Sequence, residues 1–170
     1  LIADLAIRHV NGSVWRDNKG GPWVNPYDRR VWDYNIAIAK EALDMGFSEL
    51  QWDYVRFPDV TNARRATMAF PSANGKSRGQ NIHDFIVYSK QQLADYQVPI
   101  AADVFGLVTH VEDDLGIGQR WEQVATAAVA ASSPRPSANG LSASAASSRR
   151  MRSLAWPPWS TTTPLVRPRP

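Results

Sequence analysis

The sequence predicts an α/β fold of parallel strands joined by crossover helices, and two observations carry that prediction. Strand-like apolar runs alternate three times with amphipathic helical stretches. The two best-defined runs, around Trp52 and Ala102, are apolar on both faces, as a sheet covered by helices on both sides requires. A barrel and an open sheet both satisfy this pattern. About three strand–helix units are too few to close an eightfold barrel, which takes roughly 250 residues.

The elements follow in order. Leu1 to Arg8 is short and apolar and reads as the end of a strand. Asn11 to Gly21 is turn-rich, with Asn-Gly and Gly-Gly pairs. A helix is expected next, with Asn25 as N-cap, Pro26 at its first position and Asp28 in its first turn. It runs to about Met45, and Val31, Tyr34, Ile38, Ala42 and Met45 form its buried stripe. Gly46 is placed to end it.

The segment from Glu49 to Pro58 reads as a buried strand ending in a carboxylate, an arginine and a proline-led loop. Alternation puts Leu50, Trp52 and Tyr54 on the face toward the helices, and Gln51, Asp53 and Val55 on the other. A long polar loop from Asp59 to Gly79 leaves its end. A second helix is expected from Asn81 to Tyr96, a strand from Val98 to Phe105 with Asp103 near its end, and a third helix from Gly116 to about Ala131. Glu112, Asp113 and Asp114 fit the first turn of that helix, where its dipole favours acids.

Charge divides the chain in two. All sixteen acidic residues lie between Asp4 and Glu122, and the six basic residues beyond Gln123 are all Arg. The basic character therefore belongs to the tail and is no evidence for a nucleic-acid surface on the folded part. Residues 126–170 are rich in Ala, Ser, Pro, Arg and Thr without hydrophobic period. That composition marks either a disordered tail or a shifted reading frame of a GC-rich gene. The absence of Cys excludes disulfides and thiolate metal sites. No apolar run has membrane-spanning length. The chain begins with Leu in strand-like sequence, and a start upstream is expected.

Chemistry concentrates where acids end apolar strands. A carboxylate inside such a run is costly to bury without a partner. Asp53 and Asp103 occupy matching places on successive strands, so their carboxylates should lie side by side at the C-terminal mouth, where parallel α/β folds place ligands. Paired carboxylates suit glycosidic cleavage, one ionised as nucleophile or base and the other held protonated by its neighbour. Arg56 would clamp a carboxylate, orient Asp53 or bond sugar hydroxyls, and an ion pair with Asp53 or Asp59 is its structural alternative. Trp15 and Trp23 lie in loop sequence and are candidate sugar platforms, whereas Trp52 and Tyr54 point into the helix layer as core. His110 follows the Asp103 strand and is a further candidate at the mouth. Metal-ligand spacing is absent among His9, His83 and His110, and no metal or cofactor is expected.

Five blocks then acquire a common meaning: Trp15 to Gly20, Val31 to Ala42, Gln51 to Pro58, Ala102 to Gly106 and Ile117 to Gln119. Together, and in this order, they resemble the bacterial "putative glycoside hydrolase domain", a TIM-barrel family. The resemblance covers about residues 1–125. It implies a partial (β/α)8 barrel beginning near the third strand, with Asp53 on the fourth strand and Asp103 on the fifth. It implies a carbohydrate substrate, Asp53 and Asp103 as the acid pair, and Arg56 beside them. A non-catalytic glycan-binding barrel using Trp15 and Trp23 is the alternative, and a metal-dependent hydrolase built on the carboxylates is a third. A cell-envelope or exported setting fits such a substrate. A barrel lacking most strands leaves unpaired edges, so the isolated polypeptide is expected to fold poorly and lack activity.

Overall fold

The computed structural model describes residues 2–130 and 165–168. It is a mixed α/β structure with small sheets, and no closed barrel is present among the described residues. Helix α1 (Ile2–Leu5) leads into strand β1 (Arg8–His9), followed by helix α2 (Arg29–Asp44) and strand β2 (Phe47–Trp52). Next come α3 (Asn62–Arg65), β3 (Met68–Ala69), α4 (Arg78–Gln92), β4 (Ile100–Ala102) and α5 (Trp121–Ala130). Strand β5 (Leu165–Pro168) is last.

One sheet positions the site. Strands β2 and β4 are parallel, with Leu50 opposite Ile100 and Trp52 opposite Ala102. The crossover between them is α4, so the unit is β–α–β. Strand β5 pairs antiparallel with the other edge of β2, Leu50 facing Val166. The expected parallel relation holds for β2 and β4. It does not extend to the first predicted strand: Leu1 to Arg8 gives α1 and then β1, which pairs antiparallel with β3. Its partner β3 lies within the Asp59–Gly79 segment that reads as loop sequence. Ile7 donates its N–H to Trp23 O at 2.7 Å and Trp15 to Ile7 O at 2.8 Å, so the turn-rich segment folds back along β1.

The core lies between β2 and the helices. Leu50 and Trp52 are buried, and the Trp52 ring meets Phe85 of α4 edge-on at 5.1 Å. Trp52 Nε1 donates to Ser89 Oγ at 3.1 Å, which satisfies the indole inside the core. Trp32 of α2 meets the same Phe85 at 5.7 Å, so one aromatic cluster ties both helices to the strand. Burying each such side chain contributes about 1.5–3 kcal/mol.

Several boundaries differ from expectation. Asp28, not Asn25, caps α2, accepting the Arg30 N–H. Asn25 is buried instead and its Oδ1 accepts the Tyr27 N–H at 3.1 Å, an Asx turn that competes with the helix. The buried stripe of α2 is rotated: Val31, Trp32, Asn35, Ile36, Ala39, Ala42 and Leu43 face inward, while Tyr34 and Met45 are exposed. Gly46 sits just past the C-cap Met45 with φ 98°, the conformation expected there. Helix α4 begins earlier, at an N-cap Ser77 whose side chain accepts the Gln80 N–H. Helix α5 begins only at Trp121, so Asp113 and Asp114 cap turns, accepting the N–H groups of Leu115 and Gly116 at 2.8 Å each. It also continues to Ala130, past the predicted composition break, with Ala127 buried. The remainder of the Ala/Ser/Pro/Arg tail, apart from β5, lies outside the described residues.

Candidate functional site

The register of β2 against β4 decides the site. Trp52 pairs with Ala102, so the next residue of each strand, Asp53 and Asp103, emerges at the same end. Asp103 N–H donates to Trp52 O at 2.8 Å, which locks the two strand ends together. The Asp53 side chain lies close enough to Asp103 to disfavour ionisation of the Asp103 carboxyl. Asp103 as a residue is exposed, yet its carboxyl is held above the ordinary value. Partial desolvation is the first cause, and the charge of Asp53 is next.

A cavity of about 290 Å³ opens over the pair, lined by Asp53, Tyr54, Arg56, Asp103, Phe105 and Gln119 among others. The backbone beneath it is tightly bent. Tyr54 adopts φ 53°, and a bulky residue in the left-handed region costs about 1–3 kcal/mol. The bend is held by Tyr54 N–H donating to Asp53 Oδ1 at 2.7 Å and by Arg56 N–H donating to Tyr54 O at 2.7 Å. Tyr54 therefore leaves the strand alternation and lines the cavity, while still packing, partly buried, against the core cluster. Its turn places the Arg56 guanidinium 5.0 Å from the Tyr54 ring and 5.5 Å from the Trp23 ring. Among the described residues Arg56 makes no ion pair with Asp53 or Asp59.

Gln119 braces the floor. It is buried, and its Nε2 donates to Asp103 O at 3.1 Å and to Val55 O at 3.3 Å, while Oε1 accepts Phe105 N–H at 2.9 Å. One amide thus ties together the chain just beyond both strands. Gln119 stands in one of the five resembling blocks, but no residue type or spacing in the sequence announces this role. Phe105, which alternation puts on the same face as Asp103, exposes its ring on the cavity wall.

Trp15 and Trp23 do not present sugar platforms in this geometry, because both are buried. Trp23 Nε1 donates to Asp17 Oδ2 at 3.2 Å. Burial pushes the Asp17 carboxyl up, but this bond and the N–H groups of Gly21 and Lys19 outweigh it and leave the group below its ordinary value. Trp15 packs in the core under the Arg64 guanidinium at 5.3 Å. His110 is exposed beyond the turn Gly106–Thr109 and does not line the cavity. No group of three or more acidic or His side chains fit to hold a metal ion occurs among the described residues. No described helix is long and apolar enough to cross a membrane.

The model of a family described as "Putative glycosyl hydrolase domain" matches residues 2–138. The chain belongs to this family. No curated protein matches it. Among solved structures, a hypothetical protein from Ruminiclostridium thermocellum ATCC 27405 is 43% identical with a TM-score of 0.52, over 61% of this chain and 50% of that one. The chain thus spans half the length of this relative of known structure.

Proposed function

We propose that the chain carries the catalytic carboxylates of a glycoside hydrolase that cleaves an oligosaccharide or polysaccharide, and that β2 and β4 are neighbouring strands of a (β/α)8 barrel. The single observation that carries this is the Asp53–Asp103 pair at the C-terminal ends of two parallel strands, open to one cavity. Asp103, held above its ordinary value, is the group that keeps a proton to give to the glycosidic oxygen. Asp53 is its partner, acting as nucleophile or base. Acid and nucleophile or base stand about 5 Å or more apart in such enzymes, so the scissile bond would lie between the two carboxyls. The proton then remains on Asp103, aimed at the leaving group. Arg56 positions the substrate, and Gln119 holds the strand ends in register.

The chain spans half of its relative of known structure; we assign turnover to a chain of that relative's full length and expect the 170-residue chain by itself to lack activity. In the complete protein, Asp53→Asn is expected to abolish hydrolysis of a glycan panel while sugar binding persists. Unchanged turnover would end the proposal.

A further inference from the structure

The way Arg56 is held identifies the kind of sugar the cavity takes. Its guanidinium lies against the rings of Tyr54 and Trp23, and Nη1 donates to Phe57 O at 3.2 Å. No carboxylate of the described residues pairs with it, although Asp53 is three positions away and lines the same cavity. The strained turn at Tyr54 keeps the guanidinium against the rings instead of releasing it to Asp53. A half-buried cation walled by aromatic rings is better satisfied by an anion than by a neutral hydroxyl, because only an anion offsets its lost hydration. Its planar fork of N–H donors matches a carboxylate in two-point contact. Arg56 is the cation among the described residues that line this cavity, so an anion entering it seats on the Arg56 fork.

We infer that the cavity accepts an acidic sugar, a uronic acid residue whose carboxylate is taken by Arg56 beside the Asp53–Asp103 pair. This rests on the cavity being a carbohydrate site, but it is separable from catalysis.

The test is calorimetric titration of the complete protein with an oligogalacturonate and with a glucuronoxylan oligosaccharide. Each is compared with the same oligosaccharide after its carboxyls are reduced to alcohols. At least one acidic form is expected to bind about ten-fold or more tightly than its reduced form at low salt. Arg56→Gln should bring the acidic form down to the reduced one, and Arg56→Lys should retain part of the difference. Equal affinity for acidic and reduced forms overturns the inference, as does binding of neither, or a preference that survives Arg56→Gln. The wild-type comparison needs no variant, so misfolding of a mutant cannot mask the result. Equal binding with Asp53-dependent hydrolysis overturns only the acidic preference. Selective binding without hydrolysis overturns only the hydrolase proposal.

Discussion

Asp103 is pulled between catalysis and stability. Its carboxyl is raised above its ordinary value, so the folded chain holds the proton more tightly than the unfolded chain does. Below the ordinary value of 3.8 both states are protonated, and Asp103 costs nothing. As pH rises from there through the raised folded value, the unfolded state loses its proton first, and stability falls. Asp103→Asn removes this dependence. The variant should melt higher than the wild type at pH 7, with the gap closing toward pH 3, while hydrolysis by the complete protein is lost. Melting curves across that range decide it: a gap that does not change with pH would show that Asp103 is not proton-coupled to folding. Gain of stability on loss of a charged functional group is the usual trade at such sites. The pairing of Asp53 with Asp103 was legible in the sequence, because acids closing two apolar runs at matching positions have few other uses. The roles of Tyr54 and Gln119 were not, since both depend on a turn that only the folded chain forms.

The loop before α5 shows how an element is aimed. Gly118 has φ 82°, and a Cβ there would meet the Phe57 ring at 2.9 Å and Arg78 O at 3.0 Å. Glycine is required both for the backbone angle and for this close approach to the start of α4. The turn delivers Gln119 to the cavity floor one residue later. Gly118→Ala is expected to destabilise the chain by about 2 kcal/mol or more and to reduce substrate affinity along with it. Chemical denaturation measures the first; a midpoint shift no larger than that of an exposed surface change would show the turn to be adaptable. The same dependence on packing explains the α2 stripe. Period alone allowed several phases, and the aromatic contacts of Trp32 with Phe85 and Tyr88 selected the one observed. The cap moved from Asn25 to Asp28 because the Asn25 side chain is spent on its own turn.

For the molecule as a whole, sheet edges matter most. Strand β2 is covered by β4 on one side and β5 on the other, whereas β4 has no second partner among the described residues. Exposed Phe105, Leu107 and Trp121 follow β4 and open α5. Unpaired edges with apolar surroundings favour association. Removing residues 165–170 opens the second edge of β2 and should increase self-association of the isolated chain, as read by light scattering on a sizing column. Unchanged scattering would show that β5 does not protect that edge.

Composition and pattern by themselves determined the α/β class, the βαβ unit around α4, the charge division of the chain and the two carboxylates, because alternation and capping are local properties. Tertiary structure alone decided that Trp15 and Trp23 are buried, that the turn-rich segment returns along β1, and that Arg56 stacks on rings instead of pairing with Asp53. Those outcomes rest on contacts between residues far apart in sequence. Whether an indole is platform or core depends on what packs over it, which no local pattern contains.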